Sequence, residues 1–184
     1  MNNLLCGTMV IHWDVIAIIF AVVFVAILIG SLVGILIIKN AFKHFSLMNY
    51  DKVLKHKKSL LHFSKRLKEI PRSNTYIILA VSSFEMGNDD DFARYINMVK
   101  SINYTASVYW KCVYTFFKEQ TSNFEMYFAE LKQIAEKDNS EANKIYLQNI
   151  LTLLKKKNGE DILEEEKQQI QNSSSKTIKQ YINE

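Results

Sequence analysis

The side chains that could do chemistry stand apart from one another. Cys6 and Cys112 are separated by more than a hundred residues, so they make neither a CxxC redox pair nor a disulfide framework, and both read as unpaired thiols. His12, His44, His56 and His62 have no Cys or carboxylate at ligand spacing, so the pattern predicts no metal centre. His44, His56 and His62 fall in a lysine-rich stretch and read as solvated or interfacial, with nothing in the pattern to support a pH-sensing role. The acid runs at 89–91 and 164–166 suit helix starts and surfaces, and neither has the spacing of a calcium loop. There is no Gly-rich phosphate loop, GxSxG or HExxH. Cys112 could be a nucleophile, but its position rhymes with Ala80 on an apolar helix face, which predicts a small buried residue. The expectation is a chain that is not an enzyme and takes no cofactor.

A surface is the stronger candidate. The segment TASVYWKCVYTFFKEQ, 105–120, is apolar on two faces. Ala106, Tyr109, Val113 and Phe116 form one stripe. Trp110, Tyr114 and Phe117 form another, flanked by Lys111 and Lys118. Aromatic side chains beside lysines would suit an extended or helical peptide of acidic character from a protein partner. The same residues could instead fill the space between neighbouring helices, and the sequence leaves both readings open.

The elements that position these residues must be helices. One Pro and five Gly are too few for the turns of a sandwich or barrel, so the fold class is all-α. Val15–Ile38 runs 24 residues without a charge. As a helix rising ~1.5 Å per residue it would reach ~36 Å, enough to cross a ~30 Å hydrocarbon core with some tilt. No basic residue precedes it and no small-residue cleavage site follows, so a permanent transmembrane helix over 15–38 fits better than a signal peptide. Trp13 and Phe42 flank it as interfacial aromatics. Within it Ala26, Gly30 and Gly34 recur every fourth residue, a spacing that lets two helices pack closely as a homodimer.

Charge predicts orientation. Residues 39–72 contain ten basic and two acidic side chains, a net of 10 − 2 = +8, whereas residues 73–184 contain thirteen and sixteen, a net of −3. Lysine and arginine beside a span are retained in the cytoplasm. The expected topology is a single-pass protein, residues 1–14 outside and the C-terminal domain cytoplasmic. The basic segment, with Lys52, Lys55, Lys57, Lys58, Lys65 and Arg66, could hold the domain against anionic membrane lipids. It lacks the aromatic interleaving of single-strand binders, so no nucleic acid is expected.

The rest of the chain rhymes. LLHFSKRLKEI at Leu60, FARYINMVKSI at Phe92 and FEMYFAELKQI at Phe124 begin 32 residues apart. Their shared positions i, i+3, i+7 and i+10 mark one face of a helix. Ile77, Ala80, Val81 and Phe84 likewise recur as Tyr109, Cys112, Val113 and Phe116. Asp89–Asp91 are expected to cap a helix opening at Phe92, and Ser122 with Glu125 has capping-box spacing. A helix after residues 138–140, with Ala142, Ile145, Tyr146, Ile150, Leu153 and Leu154 on its apolar face, should stop at Asn158-Gly159. Residues 47–70 could be one long helix or a hairpin. EDILEEEKQQI reads as a short capping helix, QNSSSK as a linker, and the last residues as frayed.

Repeating helical pairs of this size resemble the tetratricopeptide-repeat class of α-solenoids over residues 46–156. Here the period is 32 rather than 34, bulky Tyr95 and Tyr127 stand where small residues are usual, and Pro71 does not recur. The resemblance implies a stack of hairpins that binds a partner without catalysis. The expected organisation is a 15–38 anchor, a 39–72 basic juxtamembrane helix, a 73–157 TPR-like domain and a 158–184 cap and tail. The expected function is a membrane-anchored scaffold or adaptor. A self-associating structural membrane protein, or a regulatory subunit of a membrane enzyme or secretion complex, is the alternative.

Overall fold

The computed structural model describes residues 13–173 and 175–184, with side chains from residue 18 onward. The expectations for Cys6 and for residues 1–12 lie outside the described residues, as does the side chain of Trp13. Among the described residues every regular element is helical.

The chain divides into two compact units, residues 1–36 and 37–184. Helix α1, Trp13–Ser46, supplies the described part of the first and the opening turns of the second. From Ile18 it is long and apolar enough to cross a membrane. In the first unit its apolar side chains lie open, Phe20 at 70% and Leu36 at 64% exposure. A side chain with no apolar wall inside the protein needs one outside it. Ser31 donates its hydroxyl hydrogen to the Ile27 carbonyl at 2.9 Å, so the helix satisfies that polar group internally.

The second unit begins where α1 acquires one buried face. Ile37, Ile38, Ala41 and Phe45, at helical spacing, pack against the core. Two short helices follow, α2 (Tyr50–Lys55) and α3 (Lys57–Ser64), then α4 (Glu69–Glu85), α5 (Asp89–Ile96), a 3-10 turn at Ser101–Asn103, α6 (Tyr104–Phe117), α7 (Thr121–Lys137), α8 (Glu141–Asn158), α9 (Glu164–Gln171) and α10 (Lys176–Asn183). Helices α4 and α6 are central. Leu79, Ala80 and Val81 of α4 and Cys112 and Val113 of α6 are fully buried. Full burial stabilises by roughly 1.5–3 kcal/mol per large aliphatic side chain, which outweighs the modest helix propensity of valine. The rhyme between Ala80-Val81-Phe84 and Cys112-Val113-Phe116 is matched in burial, residue for residue. Helix α4 packs on α5, and α6 on α7.

One device ends four of the long helices. Met48, Gly87, Glu119 and Gly159 are left-handed, with φ of 55°, 70°, 55° and 72°. The next amide in each case donates to a carbonyl five residues back: Asn49 to His44, Asn88 to Ser83, Gln120 to Thr115 and Glu160 to Lys155, at 2.8–2.9 Å. This satisfies the last carbonyls of α1, α4, α6 and α8 and reverses the chain.

Several expectations are corrected. The eleven-residue phrase is one continuous helix only in its third copy. In the first two the chain breaks after Ser64 and Ile96, leaving Ile70 and Ile102 about half exposed, because the helix ends before its fourth apolar position. Residues 47–70 hold two short helices, α2 and α3, rather than one long one, with Val53 and Leu60 in the core. The boundary expected at 72/73 falls inside α4. Helix α5 opens at Asp89, not Phe92, with the Asn88 side chain accepting from the Asp91 amide at 3.1 Å. Ser122 sits inside α7 after Gln120, so the box it was expected to form does not exist. The last residues do not fray: α10 buries Ile178 and Ile182.

Candidate functional site

Helix α6 presents the residues singled out for binding, and packing divides them. Trp110 is 6% exposed and belongs to the core, against the ring of Tyr109. Tyr114 stacks on Phe92 of α5 at 4.3 Å and meets Phe84 edge-on. Phe117 packs between Phe84 and Tyr181. Lys118 is paired with Asp89 at 2.9 Å and lies over the Tyr114 ring, and Lys111 lies over Tyr127. These five residues therefore do not form one open basic groove. Helices α5, α7 and α10 engage the four other than Trp110, because a stripe this apolar is buried by whatever neighbour is nearest.

Trp110 instead contributes to the wall of a cleft. Phe45, Ile77, Tyr109, Trp110, Ile145, Tyr146 and Asn149 bound a space of about 310 Å³ together with Gln169, Asn172 and Ser173. A second space of about 250 Å³ shares Phe45, Ile77 and Tyr146 with it and continues to Phe42, Asn74, Ile78, Asn103 and Ala106. Tyr109 and Tyr146 stack at 4.6 Å and stiffen the shared wall. Five carboxamides, Asn74, Asn103, Asn149, Gln169 and Asn172, stand among the polar groups, beside the Tyr109 and Tyr146 phenols, the Trp110 indole and the Ser173 hydroxyl. Asn103 donates to Asn74 at 2.6 Å, Asn149 donates to the Tyr109 hydroxyl at 3.4 Å, and Gln169 donates to Asn149 at 3.0 Å. Burial pushes the Tyr109 phenol well above its ordinary range, so it stays protonated and neutral. No residue bounding either space carries a charge.

The basic segment is also divided. Lys57 donates to Asp91 at 2.8 Å and ties α3 to α5, so it is a structural ion pair and not a free surface cation. Lys55 faces Asp51 at 3.7 Å. Lys52, Lys58, Lys65 and Arg66 are exposed. In the first unit Ala26 is exposed, and a Cβ added at Gly30 would meet nothing within 4 Å; Gly34 is buried.

Sequence reasoning missed one arrangement altogether. Glu85, the last residue of α4, receives the first turn of α10: the Ser175 hydroxyl, the Thr177 amide at 3.2 Å and the Thr177 hydroxyl at 3.1 Å all donate to its carboxylate. Ser175 in turn caps the helix by accepting from the Ile178 amide at 3.1 Å. Lys176 lies over the Tyr50 ring, and Tyr181 meets Phe116 and Phe117 edge-on. The available signal was a hydroxyl cap followed by Ile178, Tyr181 and Ile182 at helical spacing. Compared with known protein families, characterised proteins and solved structures, the chain matches none.

Proposed function

We propose that the chain is a single-pass, membrane-anchored adaptor whose helical unit, built of TPR-like hairpins and facing the cytoplasm, receives a neutral segment of a partner protein in the cleft beside α6. One observation carries this reading: in a chain of which 23% is charged, the walls of the double cleft carry no charge at all. A carboxamide offers both donors and an acceptor, as a peptide group does, so Asn74, Asn103 and Asn149 can pair with an extended backbone while Phe45, Ile77 and Tyr146 take its apolar side chains. The acidic partner suggested by Lys111 and Lys118 is set aside, since both lysines are engaged within the domain.

The test is site-specific photocrosslinking in membranes of cells making the full chain. A photoreactive side chain at Ile145, on the cleft lip, should trap a discrete protein. The same group at Met126, which is 53% exposed on α7, should not. Ala106→Lys, which places a charge in the cleft wall, should abolish capture. Equal capture from both positions, or capture indifferent to that lysine, rejects the cleft as the contact site.

Two features bear on how the adaptor is held. The exposed Lys52, Lys58, Lys65 and Arg66 support an anionic lipid contact, worth about 1 kcal/mol for each side chain near the surface. Replacing all four by Gln should weaken binding of residues 37–184 to anionic vesicles and leave neutral ones unaffected. The open face at Ala26 and Gly30 supports self-association of the anchor as a second reading, and Gly30→Leu should then lower the cross-linked dimer fraction in membranes.

A further inference from the structure

We infer that the surface formed by Tyr50, Glu85, Phe116 and Phe117 is a docking site for an amphipathic helix that opens with hydroxyl residues, and that α10 is its resident occupant, exchangeable for a segment of the same chemistry on a partner protein. This second surface stands independently of the cleft occupant proposed above.

The recognition is concentrated in one carboxylate and two rings. Glu85 accepts from both hydroxyls and one amide of the first turn of α10. Phe116 and Phe117 receive Tyr181 one turn further on, and Ile178 and Ile182 fill the space beneath. Such a site selects. A carboxylate in the first turn of an incoming helix would face Glu85 and be repelled, whereas Ser or Thr satisfies it. Helix α10 itself carries Lys176 and Lys179 and no acidic residue within Lys176–Asn183.

The occupant is a short helix seated by its own side chains, with Ile178 and Ile182 in the core and Ser175 and Thr177 on Glu85. It is eight residues long, below the ~12–15 at which an isolated helix becomes even marginal in water, so it is helical because it is docked. Residues 172–174, an asparagine and two serines, join it to α9 and bring no apolar side chain to the link, so its hold begins at the buried Ser175. Release would also reach the first site, because Asn172 and Ser173 form part of the cleft wall. A partner taking the place of α10 would open the cleft while it docks.

The probe is a fluorescent peptide of residues 174–184, measured against the full chain and against the chain ending at Ser173, both in the same nanodiscs. The shortened chain should bind the peptide at least about tenfold more tightly than the full chain, the loss reflecting competition by the tethered helix. Glu85→Gln in the shortened chain, or Ser175→Ala with Thr177→Val in the peptide, should each reduce binding about tenfold or more. A shortened chain that keeps its helicity and thermal transition yet binds no peptide overturns the inference, as does equal binding by both chains. Should the shortened chain fail to fold, hydrogen exchange on the full chain decides. Amides of α10 exchanging far faster than those of α4 and α6 uphold exchangeability, and equal protection ends it. Tyr181→Cys in one copy cross-linking to Phe117→Cys in another, with Cys6 and Cys112 replaced, would assign the occupant to a second copy and overturn the partner-protein assignment.

Discussion

Glu166 gathers donors from α8 and from the residue that caps its own helix. Lys155 reaches it at 2.7 Å, Gln148 at 2.8 Å, and the Leu163 amide at 3.0 Å. The hydrogen bond from Lys155 is the main reason its carboxyl is held below the usual range. A depressed carboxyl contributes stability that is present above its unfolded pKa and disappears as pH falls through the folded value. Glu166→Gln should therefore lower stability at pH 7 by roughly 1–3 kcal/mol and converge with the parent in acid, a difference that thermal melts between pH 7 and pH 3 will read. At this scale the sequence was informative where a residue's fate depends on its own helix face. Cys112 is buried, as Ala80 is at the equivalent point of α4, and burial pushes its thiol up to about 12, far from a reactive thiolate. It was silent where the fate depends on a distant partner. Lys57 meets Asp91 and Lys118 meets Asp89, and nothing in the local pattern distinguishes these lysines from Lys58 or Lys65.

Among the elements, the long amphipathic segments were legible and their ends were not. Gly159 announced the stop of α8. Glu119 announced nothing, yet it adopts the same left-handed backbone as Gly87 at the equivalent point of the preceding hairpin. A side chain with a Cβ in that conformation costs about 1 kcal/mol, and it is tolerated because the reversal lets α6 and α7 pack together. Glu119→Gly should raise stability by roughly 0.5–1 kcal/mol, whereas Gly87→Ala should lower it by a similar amount. Denaturant midpoints of the two variants will show opposite shifts if the turns have this origin. The two broken copies of the eleven-residue phrase have the same explanation. Periodicity reports which side of a helix would be apolar, and tertiary packing decides how many turns are kept.

For the whole molecule, the apolar run and the folded unit overlap. Ile37 and Ile38 close the uncharged stretch in the sequence, but they pack into the core of residues 37–184 with Ala41 and Phe45. A soluble piece beginning at residue 37 should fold with a cooperative melt. One beginning at residue 47 should lose about 3–6 kcal/mol, from side chains worth roughly 1.5–3 kcal/mol each when fully buried, a large part of a domain's ~5–15 kcal/mol. Equal melting temperatures would show that the end of α1 is dispensable. The sequence could not reveal this overlap, because a residue suited to lipid and a residue suited to a protein core are chosen from the same apolar set.

The carboxylate at the end of α4 joins residues 90 and 92 positions apart. Closing so large a loop costs entropy before any contact rewards it, so this clasp belongs on the native side of the folding barrier. Weakening it should quicken the release of α10 and leave the rate of folding almost unchanged. The hairpins set how fast the unit forms, and Glu85 sets how long its last helix stays in place.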